Sequence, residues 1–238
     1  MIIIKNLSGG YGSKQVIKDI SISIESGSCY LLLGKNGSGK TTLINLLANL
    51  IAPSSGIITF KGSRHDDMQI KRRVGFYTSR EVLIEEFTGL EYMKFLSLVY
   101  KIPPAYAEKR INELFDLFFE ERHILYYKRI EEYSSGMRQK LRIIGSVLHE
   151  PEILILDEPF SHLDILSVKQ VASFFKKYKR GKAILLASHV LGPIEDLVTH
   201  IGIIENGRII QEATIEDFTA GKKNSLESIV LEKFGFKP

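Results

Sequence analysis

Residues 29–42, CYLLLGKNGSGKTT, restrict the fold more tightly than any other stretch of the chain. Cys29-Tyr30-Leu31-Leu32-Leu33 is apolar without alternation, as in a strand buried on both faces of a sheet. TTLINLLANL after it has the composition of a helix. Between them Gly34 to Thr42 fits G-x-x-x-x-G-K-[ST], a motif that requires a strand before it and a helix after it. Such a loop lets backbone N–H groups approach phosphate oxygens, and the helix N-terminus adds partial positive charge. The candidate nucleotide-binding residues are therefore Gly34, Lys35, Asn36, Gly37, Ser38, Gly39, Lys40, Thr41 and Thr42. Lys40 is expected to reach the β- and γ-phosphates, and Thr41 to ligate Mg²⁺. A glycine-rich turn without a ligand is the bland alternative, and the flanking strand and helix count against it.

A second chemical motif is ILILDEP, Ile153 to Pro159. Its apolar run predicts another buried strand, and the two acids stand at its carboxyl end, where open α/β sheets bind ligands. Asp157 is the expected metal-side carboxylate, and Glu158 the group that orients or deprotonates an attacking water. Taken alone, the motif would also suit two solvated acids.

The rest of the chain alternates strands and helices. ISISIE sets Ile20, Ile22 and Ile24 against Ser21, Ser23 and Glu25, the period of a half-buried strand. Residues 1–60 read mainly as strands around the one glycine loop and its helix. AILLAS (183–188) and IGIIENGRII (201–210) are further strands, the second a hairpin about Asn206-Gly207. Residues 88–149 are helical in pattern. Thr88 and Glu91 form a capping box, Pro104 suits a first turn, and Ala107, Ile111, Leu114, Phe115 and Phe118 make one apolar stripe. Such an order predicts an α/β core with a mainly parallel sheet, divided by a helical insertion.

Composition excludes some classes and permits others. With 238 residues, 44% of them hydrophobic and 25% charged, the chain can bury the core of one large domain. Its net charge of +4 would suit a nucleic acid or an anionic membrane, but solvated surface is the stronger reading. Cys29 is the one cysteine, so no disulfide framework or cysteine metal site forms within the chain, and it reads as core. No signal peptide and no transmembrane run is seen, and a cytoplasmic location is expected.

One stretch does not fit a plain helix. EEYSSGMRQKLRI, Glu131 to Ile143, opens an amphipathic helix with Ser134 as N-cap and Met137, Leu141, Ile144 and Leu148 on its apolar face. Yet its first turn holds Ser135 and Gly136, both poor helix formers. YSSGMRQ resembles the signature of ATP-binding cassette (ABC) proteins, Leu-Ser-Gly-Gly-Gln. Tyr133, Ser134, Ser135, Gly136 and Met137 fill those places, with Ser134 and Gly136 kept. Further family marks follow in order. Tyr11 in GGYGSKQV resembles the aromatic residue that stacks on adenine, SHLD (Ser161 to Asp164) the D-loop, and His189 in LLASHV the switch histidine at the γ-phosphate. Standing alone, Tyr11 would read as a loop tyrosine and His189 as a satisfied strand-end histidine. The family's Q-loop glutamine is replaced by Ser79, a shorter side chain that would still face Mg²⁺.

The resemblance implies a P-loop NTPase core with an N-terminal antiparallel β subdomain and an inserted α-helical subdomain. The core would span 1–87 and 150–220, the insertion about 88–149, and a tail with a short helix 221–238. It also implies an ATPase using ATP and Mg²⁺, with Lys40, Glu158 and His189 as catalytic residues and Thr41, Asp157 and Ser79 on the metal. Ser134, Ser135 and Gly136 would serve the nucleotide of an opposite subunit. The partners implied are a second ATPase copy, giving a dimer, and a separate polytopic membrane permease, with the chain peripheral on the inner membrane face. The permease's coupling helix would dock near Phe76 to Tyr92. SSGMRQKL and the tail LESIVLEKFGF are similar to exporter ATPases for drugs, peptides or envelope components. A soluble ABC ATPase acting on nucleic acid or ribosomes is the alternative. A small-molecule P-loop kinase is disfavoured by the signature, D-loop and switch histidine.

Overall fold

The computed structural model describes residues 1–78, 82–219 and 225–234; Ser79 of the expected Q-loop lies outside them. The first half of the chain forms β1 (Ile2–Tyr11), β2 (Lys14–Ile24), β3 (Cys29–Leu33), α1 (Lys40–Leu47), β4 (Pro53–Phe60), β5 (Ser63–Arg64), α2 (Met68–Lys71) and β6 (Val74–Thr78). Four helices follow, α3 (Gly89–Val99), α4 (Pro104–Phe118), α5 (Ile124–Tyr127) and α6 (Ser135–Val147). The chain then returns through β7 (Ile153–Asp157), α7 (Ile165–Tyr178), β8 (Ala183–Ala187), β9 (His200–Glu205), β10 (Arg208–Thr214), α8 (Ile215–Thr219) and α9 (Leu226–Phe234).

These strands make two sheets. One has the order β2-β1-β4-β5 and is antiparallel; the other has the order β10-β9-β3-β8-β7-β6 and is parallel except for the β9–β10 hairpin. β3, β7 and β8 are buried along their whole length, because both faces of the parallel sheet are covered. Leu31, Leu33, Leu154, Leu156, Ile184 and Leu186 pack with the helices. Tyr30, Leu32, Ile153, Ile155 and Leu185 pack towards α1 and the antiparallel sheet. Each aliphatic side chain of this kind contributes about 1.5–3 kcal/mol on burial.

The expected local signals are present. Thr88 and Glu91 close a capping box on α3, and Ser134 caps α6 by accepting a hydrogen bond from Met137 N–H. Ala107, Ile111, Leu114, Phe115 and Phe118 are the buried stripe of α4, and Cys29 is a fully buried core residue. Tyr77 and Tyr92, within the stretch expected to meet a coupling helix, are also buried.

Candidate nucleotide site

The carboxyl ends of β3, β7 and β8 bring the chemical residues together. After β3 the chain turns through Gly34–Gly39, with Lys35, Asn36 and Gly37 exposed and Ser38 and Gly39 buried. α1 then starts at Lys40, with Gly39 at its N-cap, no side-chain cap and no acid in its first turn. Its first N–H groups are thus left to whatever sits above them. Ser38 Oγ is buried without a partner among the described residues, a second polar group open to a ligand. Lys40 Nζ donates to the carbonyl oxygens of Gly34 at 2.6 Å and Lys35 at 3.4 Å. Burial pulls its ammonium below the ordinary lysine range, against the opposing pull of Glu158 and Asp157.

The loop is tied down from the far side. Gly207, at the β9–β10 tip, donates its N–H to Ser38 O at 3.0 Å, and its own carbonyl accepts from Lys18 N–H at 2.8 Å. It has φ +79°, and an added Cβ would stand 1.7 Å from Val16 O. One glycine therefore joins the phosphate loop to both sheets.

Asp157 ends β7 and is 4% exposed. Glu158 leaves the strand at φ 55°, a left-handed conformation that costs a non-glycine residue about 1–2 kcal/mol. Its N–H is held by Ala187 O at 2.8 Å. Its carboxylate accepts from His189 N–H at 3.2 Å and pairs with His189 Nδ1 at 2.7 Å. A carboxylate is an acceptor, so Nδ1 carries the proton in this pair. Thr41 hydroxyl and Asp157 carboxylate are hard oxygen donors, the chemistry that Mg²⁺ takes.

Four expected residues, in two places, lie apart from this edge. Tyr11 ends β1, 47% exposed, and its hydroxyl accepts from Asn45 Nδ2 of α1 at 2.7 Å. Ser134, Ser135 and Gly136 open α6 beside a groove of about 630 Å³. Among the described residues, that groove is lined by Phe119, Lys140, Asp164 and Gln170 but by none of the phosphate loop. Ser134 Oγ accepts from Met137 N–H at 3.2 Å, and Asp164 caps α7 through Ser167 N–H at 2.9 Å.

Sequence reasoning missed two side chains here. Tyr133, in the place of the signature leucine, is buried, and its hydroxyl accepts from Gly89 N–H at 3.0 Å. Gln139, 2% exposed on α6, donates Nε2–H to Pro159 O at 2.9 Å and Glu158 O at 3.4 Å. Both bonds span distant sequence, so periodicity held no signal for them.

Residues 17–161 match the family model described as ABC transporter, more than half of the chain. The chain belongs to the ABC transporter family. It is an ABC ATPase, similar to proteins named as ATP-binding subunits. It is 31% identical over 227 residues to an uncharacterized ABC transporter ATP-binding protein, YcbN of Bacillus subtilis, covering 94% of this chain and 72% of that one. It is 32% identical to the bacitracin transport ATP-binding protein BcrA of Enterococcus faecalis, covering 90% and 69%. A solved ATP binding subunit of an ABC transporter superposes with a TM-score of 0.86 at 30% identity, over 98% of both chains. The cassette MJ0796, solved as a post-hydrolysis dimer with ADP and Pi, shares the fold with a TM-score of 0.80 at 23% identity, over 90% of this chain and 99% of that one.

Proposed function

We propose that this ABC ATPase hydrolyses ATP at a composite site between two copies and drives a separate membrane subunit that exports its cargo. The observation that carries the reading is the edge where Lys40, Asp157 and the Glu158–His189 pair converge above an uncapped helix. The N–H groups of α1 would bind phosphate oxygens, and Lys40 would exchange its Gly34 carbonyl for a phosphate. Glu158 would orient the attacking water and accept its proton. His189 would leave Glu158 to contact the γ-phosphate. Thr41, Asp157 and Ser79 would hold Mg²⁺, which would supply charge neutralisation at the phosphates. Tyr11 would stack on adenine.

Gly136 supports the composite site. An added Cβ there would meet nothing nearer than His162 O at 3.5 Å, so no crowding inside one chain calls for a glycine. Close approach of an outside group does: Ser134 to Gly136 would face the γ-phosphate on the opposite copy. MJ0796 supports the two-fold arrangement by its dimeric form, and the name of BcrA, a bacitracin transport protein, supports a transport role. The core would comprise 1–87 and 150–220, the helical subdomain 88–149 and the tail 221–238. Among the described residues, no helix is long and apolar enough to cross a membrane, consistent with a peripheral place on the inner face.

The test is size-exclusion chromatography with light scattering on Glu158→Gln, with and without ATP and Mg²⁺. ATP is expected to convert monomer to dimer, and Ser134→Arg is expected to abolish the shift. A monomer that binds ATP and stays monomeric would overturn the two-copy site.

A further inference from the structure

Gln139 lies one turn inside α6, the helix whose first turn carries Ser134 and Gly136. Its side chain is 2% exposed, and its amide points away from that first turn, into the chain's own hydrolytic edge. There it donates to the carbonyls of Pro159 and, at longer range, Glu158. Those two residues form the turn that sets the direction of the Glu158 carboxylate. Glu158 holds a left-handed φ of 55°, a conformation that persists only where neighbours over-determine it. Ala187 O takes its N–H, Ser161 donates to its carbonyl through Oγ at 2.9 Å and N–H at 3.3 Å, His189 holds its carboxylate, and Gln139 holds the following peptide. Ala187 and His189 lie at the end of β8, and Ser161 in the loop after β7. Among these, Gln139 alone comes from the helix that presents the signature.

We propose that Gln139 is a positioning residue for hydrolysis: it ties the turn bearing Glu158 to α6, so that the helix addressing the opposite copy's phosphate also aims the chain's own Glu158. The inference rests on the reading of Glu158 as the residue that orients the attacking water. Movement of α6 by a phosphate at its N-terminus is then transmitted through a buried amide to Glu158, and the two nucleotide sites share one rigid element. The donor is what matters. Met fills the same volume without an N–H, and Glu at neutral pH sets a carboxylate against two carbonyl oxygens.

The experiment compares steady-state hydrolysis and fluorescent-nucleotide binding for Gln139→Met and Gln139→Glu, in the full chain. Gln139→Met is expected to lower kcat about tenfold, Gln139→Glu further, with ATP affinity within about twofold of the parent. The double variant Glu158→Gln/Gln139→Met is expected to keep its ATP-driven dimerisation. A kcat within about twofold of the parent for both single variants would overturn the proposal. So would a loss of kcat matched by an equal loss of affinity, which marks a structural role, or a double variant that no longer dimerises where Glu158→Gln does. Should Gln139→Met fail to fold, Ser161→Ala removes another donor to the same carbonyl. A fall in its kcat at unchanged affinity supports a positioned turn, and no fall with either Ser161→Ala or Gln139→Glu refutes it. If Glu158→Gln itself hydrolyses ATP normally, the reading of Glu158 fails, a separate result from these.

Discussion

The two ends of the parallel strands are built from similar residues and used in opposite ways. At the amino ends, polar groups are consumed within the chain. Thr199 Oγ1 accepts from Cys29 N–H and donates to Cys29 O, both at 3.0 Å. Lys182 Nζ donates to Pro151 O at 2.9 Å and lies 4.4 Å from the centre of the Tyr178 ring. Glu152 is shared between Lys61 and Arg73. At the carboxyl ends, among the described residues, α1 has no side-chain cap, Ser38 Oγ has no partner, and Lys40 Nζ donates to the carbonyls of Gly34 and Lys35. The difference teaches where function can be placed: a helix that follows a strand starts at the strand's carboxyl end, so only that edge gathers unsatisfied N–H groups. One edge is closed chemistry and serves stability; the other is left open, as the proposed nucleotide site requires.

If that division is right, Glu158→Gln costs hydrolysis about 10²–10⁴-fold in a phosphate-release assay while leaving ATP binding intact. At the other end, Cys29 is buried and its thiol is pushed up to about 12. Its reaction with an aromatic disulfide at neutral pH should therefore run at least about a thousandfold slower than a free thiol's, and recover in denaturant. A Cys29 that reacts at once in the native protein would show the amino edge to be open. Lys40→Ala should weaken ATP binding about tenfold or more by fluorescence titration, with the melting temperature of the nucleotide-free protein changed little. The smallest effect belongs to Glu152. Lys61 first, and then Arg73, hold its carboxyl below the usual range. Its pairing therefore stabilises above the unfolded value and is lost as pH falls through the folded one. Because Glu152 is partly solvated, Glu152→Gln should cost no more than about 1 kcal/mol at pH 7 by urea unfolding. That difference should shrink only as pH falls below about 4.5, with hydrolysis unaffected in rate at neutral pH.

Much of this edge was legible in sequence because its signals are local. The apolar run 29–33, the glycine loop, the alternation at Ile20, Ile22 and Ile24, and the caps at Thr88 and Ser134 all act within a few residues. α7 also carried a local signal, the Asp164 cap and the buried stripe Val168, Val171, Ala172 and Phe175, which the D-loop resemblance overshadowed. Sheet order was not legible: β3 lies between β8 and β9, strands far along the chain, and nothing in the residues 29–33 names their neighbours. The same holds for Tyr133 on Gly89 and Gln139 on Pro159. A tyrosine in place of leucine looks like a worn signature until the fold brings an orphan N–H to its hydroxyl.

The hairpin tip at Gly207 extends this lesson to inheritance. A backbone joined to Ser38 on one side and to Lys18 on the other, with Val16 O in the only space a side chain could take, leaves no gradual route to another residue. Descendants of this gene can drift at the neighbouring exposed Arg208 side chain while position 207 stays frozen. A residue that touches no nucleotide thus becomes as unchangeable as one that does, and a collection of viable random mutants would mark both as if they belonged to one site.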